Sequence, residues 1–388
     1  MTTAVVSGIG EFHPVRKSGK KAEALIVHAI SEALNDAGLA PDQIGAVVTE
    51  SSLTPQMAPF DRIAPMAGLD NVQLTLQTSP VGAGIMASVG MAFDLVASGK
   101  VDHALIYFGV DWGTTPNGPT GYHAGMEAKK VVEAPAGFAG PALYYAVAAK
   151  RYQHLHGLTD DQVQDMLWAV VEATRFNASH HPLAQRQDAL TKDQYLAKPM
   201  LAEPLRSVDC SLLSDGAVAL VVSKADAFNG KQSPVELASW AYDYEPIPDM
   251  DFYTQSPWLP ALPATRRSSQ KALKAAGLAI EDMDLFGIYD CFSFAVIMQL
   301  EALGLCKAGE GAQLCQLGAL RFNGQLPVNT HGGLMGHGYL LGAGHITEII
   351  HQLRHQAGAR QVQGAQTAFV GAGPGRQFTS LIFKRQEG

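Results

Sequence analysis

Apolar positions run at helical spacing into Ala33-Leu34 and close on Ala37-Gly38-Leu39-Ala40. An acidic turn, Ile44 and the apolar stretch Ala46-Val47-Val48 follow. That pattern predicts an amphipathic helix ended by a C′ glycine, a short turn and a buried strand. The same pattern returns at a constant offset of 239 positions, from Ala33 to Ala272. There Ala272-Leu273 leads to Ala276-Gly277-Leu278-Ala279, then Met283 and Leu285-Phe286-Gly287-Ile288. A matched helix, turn and strand point to duplication. Each copy is followed by a glycine-started helix of small residues, Gly82 to Ala97 in one half and Gly342 to Gln352 in the other. Buried strands come next, His103 to Val110 and Gln366 to Val370. Strand, helix and strand in that order predict a layered α/β architecture. The segment from Trp112 to about Arg206 lacks the repeat and is rich in aromatics, histidine and proline, which predicts an insertion over one face, a lid on the substrate side. The polar stretch Ser223 to Ser233 marks the junction, dividing the chain into an N-terminal half, 1–230, that includes the 112–206 insertion, and a C-terminal half, 231–388.

Composition narrows the class. Of 388 residues 47% are hydrophobic and only 16% charged, as in a well-buried globular protein. Lys and Arg number 28 against 36 Asp and Glu, a net charge of −8 without any block of like charges, which disfavours nucleic-acid binding by a basic face. No basic leader with an apolar core opens the chain and no stretch approaches a membrane span, so a soluble cytoplasmic protein is expected. The four cysteines, Cys210, Cys291, Cys306 and Cys315, form no CxxC pair and no zinc-like cluster, and they read as reduced thiols. None precedes Cys210.

Five strings carry a family resemblance. They are Ser214-Asp215-Gly216-Ala217, Asp290-Cys291-Phe292-Ser293, the run Leu300 to Cys306, Asn329-Thr330-His331-Gly332-Gly333, and Gly371-Ala372-Gly373-Pro374-Gly375. In this order, on a duplicated frame, the chain resembles the thiolase superfamily, and in particular the sterol-carrier-protein-type thiolases. The resemblance implies a five-layered αβαβα fold built from two halves with a loop-domain insertion.

It also implies four chemical groups, and all four are replaced. The nucleophilic cysteine falls on Gly82, with Val81 or Ala83 one residue away and Ser79 the nearest hydroxyl. The oxyanion-hole Asn or His corresponds to Tyr289, the catalytic His to Tyr339, and the second cysteine to Phe369. Acyl-cysteine chemistry has no residue to carry it. Two tyrosines with a glycine at the nucleophile position resemble the thiolase-like lipid-transfer aldolases of steroid side-chain degradation. These cleave a β-hydroxyacyl-CoA by a retro-aldol step, which needs a base and an enolate stabiliser but no acyl-enzyme.

On that resemblance Tyr289 and Tyr339 form an acid/base pair, although an ordinary phenol near pKa 10 needs help to act as a base at neutral pH. His331 and His337 can relay a proton or bind the thioester oxygen. Asp290 orients Tyr289 or fixes its loop. Tyr242 or Tyr244 can add a third phenol, and Gly82, Phe369, Gly371 and Gly373 line the substrate cavity. Lys129, Lys130, Arg175 and Arg206 are candidates for the CoA phosphates. Cys291 reads as a buried small residue, and His13, His154, His156, His180 and His181 as surface or loop histidines without metal-ligand spacing. No metal and no bound cofactor are expected, CoA entering as the substrate thioester. The resemblance further implies a homodimer and a small zinc-ribbon/OB-fold partner. Two other readings remain open: a noncatalytic subunit of an acyltransferase or lyase complex, and an atypical thiolase using Ser79.

Overall fold

The computed structural model describes residues 3–51, 53–78, 84–116, 129–138, 140–228, 232–246, 259–373 and 375–386. The first half contains β1 (Ala4–Val15), α1 (Ala22–Ala37), β2 (Ala46–Glu50), β3 (Leu74–Thr78), α2 (Gly84–Ala97) and β4 (His103–Asp111). The long helices α3 (Pro141–His156) and α4 (Asp160–Ser179) belong to the insertion, after which β5 (Asp215–Lys224) returns to the sheet. The second half contains β6 (Val235–Tyr244), α5 (Pro263–Ala276), β7 (Leu285–Ile288), α6 (Ser293–Leu303), α7 (Ala343–Leu353), β8 (Thr367–Ala372) and β9 (Gln377–Arg385). Both helices of the repeat, α1 and α5, end where their pattern predicts, on Gly38 and Gly277 at φ 68° and 67°. Residues 79–83, which include the nucleophile position Gly82, and 229–231 in the expected junction lie outside the described residues.

These nine strands form one sheet in the order β3-β2-β4-β5-β1-β6-β9-β8-β7, and Met200–Ala202 pairs separately with Leu205–Arg206 in the insertion. The duplication is visible in its pairing. β2 runs parallel to β3 and β4, β4 antiparallel to β5, and β5 antiparallel to β1. In the second half β7 runs parallel to β8, β8 antiparallel to β9, and β9 antiparallel to β6. A parallel bridge from Phe286 to Val328 stands where β3 stands in the first half. The half-sheets join at one corner, where Val5 and Val6 of β1 pair with Glu236 and Val235 of β6.

Side-chain alternation sets the layers. On one face of the first half-sheet Leu105, Tyr107, Ala217, Ala219 and Val221 pack against Leu25, Ile26 and Ile30 of α1. On the opposite face Val48, Ile106, Phe108, Val218 and Leu220 join the larger core with α2. Helix α2 also packs on β6 and β9, α7 packs on β7 and β8 and reaches β5, and α5 covers β6 and β9 from outside. The result is the expected five-layered αβαβα stack, with α2 and α7 sharing the middle layer. In the insertion, α4 packs on α6 and on the short turn Gly333–Gly336. Its buried Asn177 donates to the Val328 carbonyl (3.0 Å) and accepts from the Phe322 N–H (2.8 Å), so the insertion grips the loop that carries the site. No described helix is long and apolar enough to cross a membrane.

A buried polar contact is among those that tie the halves together. Glu11 of β1 accepts from Thr347 Oγ1 (2.5 Å) and lies 3.4 Å from His351 Nε2, both on α7. Burial pushes the Glu11 carboxyl up, but the His351 contact outweighs it and holds Glu11 at about 2. Burial likewise pushes His351 down, and Glu11 outweighs that and raises it. The Glu11 contribution is present above its ordinary value of 4.5 and is lost as pH falls through about 2; the His351 contribution is complete below 6.5 and is lost as pH rises through its raised folded value. Glu11→Gln should therefore lower Tm most between pH 4.5 and 6.5, where both groups are charged, and least at alkaline pH. A Tm loss independent of pH across thermal melts from pH 4 to 9 contradicts this linkage.

Candidate active site

The site begins where β7 ends. Asn329 mimics a paired strand there: its Oδ1 accepts from the Ile288 N–H and its Nδ2 donates to the Ile288 carbonyl, both at 2.8 Å. The next carbonyl, of Tyr289, accepts from Gln299 Nε2 of α6 at 2.7 Å. The Tyr289 side chain is thereby carried into the interior, 5% exposed. Tyr339 arrives on the loop before α7. Its N–H donates to Ser214 Oγ (2.9 Å), itself held by Gln185 Nε2 (2.6 Å), and its ring lies 5.1 Å from the Trp112 ring. Gly342 at φ 83° lets this loop turn into α7; a Cβ there would sit 3.1 Å from Met86 Cε and 3.4 Å from the Tyr289 ring. The two hydroxyls meet at 2.9 Å.

Burial, and then the neighbouring Tyr339, push the Tyr289 phenol well above its usual range. Tyr289 therefore keeps its proton at neutral pH. Tyr339 is only partly buried, so its phenol is the more accessible member of the pair. Asp290, fully buried, accepts from the Leu334 N–H at 2.9 and 3.0 Å and lies 3.2 Å from His345 Nε2 without hydrogen-bond alignment.

Behind Asp290 lies a group of histidines. His345 stacks edge-on to His331, and His331 to His337, each with ring centroids 5.1 Å apart; His337 lies 4.5 Å from His181. Burial, reinforced by neighbouring histidines, holds His331 and His337 well below the usual imidazole range; burial and then Arg360 bring His181 down to about 4. All three are neutral at pH 7. His181, expected at the surface, is 6% exposed. Its place in a loop was readable, but the cover that His13 of β1 and His337 provide comes from residues distant in sequence. Among the described residues no three His, Cys, Asp or Glu groups are arranged to hold a metal ion.

The structure groups Tyr289, Tyr339, Asp290, His331 and His337. It sets Tyr242 and Tyr244 elsewhere, on the β6–β9 ladder, stacked on each other at 6.1 Å with Tyr242 donating to Gln377 Oε1 (2.8 Å). Phe369 is fully buried in β8 against Phe286 (6.2 Å), Gly371 packs on Phe378, and Gly373 follows β8 at φ 108°. Arg206 is engaged inside the insertion, donating to Gln164 Oε1 and the Lys198 carbonyl at 3.0 Å, and Arg175 reaches the Asp188 carbonyl (3.4 Å). Lys130 lies exposed on the helical turn Lys129–Glu133, and the Lys129 side chain is outside the described residues. Cys291 is buried, as expected, and burial raises both its thiol and that of Cys210, the latter to about 12. Neither offers a thiolate. Sequence reasoning missed His345, Trp112 and Gln185, whose only signal is their distance in space from Tyr339 or Asp290.

The thiolase C-terminal domain-like family matches residues 251–384. A 17-hydroxy-3-oxo-4-pregnene-20-carboxyl-CoA lyase of Mycobacterium tuberculosis is 31% identical over 391 aligned residues, covering 98% of each chain. An acetyl-CoA acetyltransferase of Methanothermobacter thermautotrophicus is 35% identical over 78% of this chain and 77% of its own. The solved structure of an Ltp2-ChsH2(DUF35) aldolase superposes with a TM-score of 0.90 at 26% identity, over 100% of this chain and 98% of that one. Fold and site together define a thiolase-fold enzyme that works without an acyl-cysteine. The chain belongs to the thiolase superfamily, among its carbon–carbon lyases of the aldolase type.

Asn329→Ala strips two buried backbone groups of Ile288 of their partners, which should cost about 3 kcal/mol in urea unfolding. Turnover should fall as well, since Tyr289 follows directly. Unchanged stability excludes the clamp.

Proposed function

We propose that this protein cleaves a β-hydroxyacyl-CoA into a ketone or aldehyde and a shorter acyl-CoA, without an enzyme thioester. The observation that carries the reading is the hydroxyl pair of Tyr289 and Tyr339, 2.9 Å apart, at the positions matched to the thiolase oxyanion-hole residue and catalytic histidine. Tyr339 as phenolate takes the β-hydroxyl proton, with Tyr289 donating to its oxygen. The Cα–Cβ bond breaks, its electron pair passing to the thioester as an enolate while the β-carbon becomes the carbonyl. A proton then returns to the α-carbon, so that one proton leaves oxygen and one arrives at carbon. Asp290 and His331 support the pair from behind.

The lyase and the Ltp2-ChsH2(DUF35) aldolase named above favour a steroid or related polycyclic side chain as the acyl group. The aldolase also favours association with a DUF35-type protein, in keeping with the small zinc-ribbon/OB-fold partner that the family resemblance implies. A homodimer, a cytoplasmic setting, the 1–230 and 231–388 division, and substrate contacts from Gly82, Phe369, Gly371 and Gly373 belong to the same reading. The acetyltransferase relative raises thiolysis as the competing activity, and the absence of any cysteine before Cys210 argues against it.

Incubation with β-hydroxyacyl-CoA and β-ketoacyl-CoA panels, with and without the DUF35-type partner, tests this. Carbonyl release from the hydroxyacyl substrates without free CoA is expected; cleavage of the ketoacyl substrates that strictly requires CoA overturns it. Tyr339→Phe should lower kcat about 10²- to 10⁴-fold with the melting curve preserved. Full activity in that variant removes Tyr339 from the chemistry.

A further inference from the structure

We propose that the buried histidines form a proton relay joining the tyrosine pair to solvent beside β1, an inference that rests on the retro-aldol reading. The file has an open end and a closed end. At the open end the His13 side chain is 37% exposed and lies 3.9 Å from Glu11 Oε2. Its ring centroid is 6.2 Å from that of His181 and 6.3 Å from that of His337. From His337 the steps to His331 and on to His345 are 5.1 Å each, and His345 then reaches Asp290. His345 and Tyr289 border the same glycine: a Cβ on Gly342 would lie 3.6 Å from the His345 ring and 3.4 Å from that of Tyr289.

The inner rings are nearly sealed. His331 and His337 are 2% exposed and His345 is fully buried, yet neither ring nitrogen of any of the three hydrogen-bonds to a protein group. An unmet buried polar atom is costly, and ring nitrogens in neighbouring, polar-lined rings suit bridging water. A histidine packed merely for shape would have its nitrogens tied to backbone, as His181 Nδ1 is to the Leu183 N–H (3.1 Å). A neutral imidazole holds one donor and one acceptor, which is what a hop requires: it takes a proton on one nitrogen and releases one from the other. Burial first, and then the neighbouring histidines, keep His331 and His337 from holding a proton permanently.

The relay gives the base a route to its active form. A phenol at the Tyr339 position becomes a base only after losing a proton, and Tyr289, buried and protonated, holds on to its own. One proton leaves the pair, passes through water to His345 and along the file, and reaches solvent beside Glu11 and His13. The phenolate stays behind as the balancing charge.

Two measurements test the relay. In ¹⁵N-histidine NMR of the intact protein without substrate, the ring N–H groups of His331, His337 and His345 should exchange with solvent at least 100-fold faster than the backbone amides of β8. Exchange as slow as those amides overturns the relay whatever the enzyme's substrate proves to be. In turnover assays at low buffer concentration, His13→Gln, a change at a partly exposed site, should lower kcat about 10-fold with KM unchanged, and added imidazole should restore it. A loss of kcat that imidazole does not restore, or no loss, overturns it. If the wild-type protein cleaves no β-hydroxyacyl-CoA, the retro-aldol reading fails, and the exchange measurement still decides the relay.

Discussion

The molecule depends on a middle layer in which α2 and α7 each touch both half-sheets. Such sharing demands close approach. At Gly90 of α2 a Cβ would lie 2.2 Å from the Trp240 ring of β6, so only a hydrogen fits between that helix and the second half-sheet. The indole completes the contact by donating from Nε1 to Asp94 of the same helix at 3.1 Å. A residue without a side chain at this contact is the condition for the two duplicated sheets to share one core.

That packing also creates the site. Because α2 and α7 lie in one layer, Met86 near the start of α2 meets the position over Gly342 at the start of α7, and Tyr289 borders the same point from the end of β7. The phenol pair is thus built at a convergence of helix starts and a strand end, where open α/β sheets concentrate their chemistry. The insertion adds the outer wall through Asn177, and Gln185 anchors the loop of Tyr339 by way of Ser214.

Glycine at the nucleophile position and tyrosines at the oxyanion-hole and catalytic-histidine positions change the demands on the surroundings. A thiolate nucleophile is made reactive by a nearby base, whereas a phenol needs help to lose its proton. Tyr289 does not lose its proton, because burial stabilises the neutral form, and its hydroxyl lies 2.9 Å from that of Tyr339. His331 and His337, held neutral by burial, fit the same economy of charge, since ring nitrogens without protein partners can carry a proton without storing it.

Much of this was legible from the chain alone. The 239-residue repeat gave the matched helices ending at Gly38 and Gly277 and the matched strands β2 and β7, because periodicity and helix-ending glycines are local properties. Alignment of short strings was enough to single out Tyr289, Tyr339, Asp290, His331 and His337, and the absence of cysteine before Cys210 excluded acyl-enzyme chemistry. Tertiary structure alone decided that His345 stands beside Asp290, that His181 is buried, and that Tyr242 and Tyr244 belong to the β6–β9 ladder. It also decided that Tyr289 is buried and keeps its proton. Burial and the meeting of side chains from β1, the insertion and α7 depend on how distant segments pack, and no local pattern in the sequence encodes that distance.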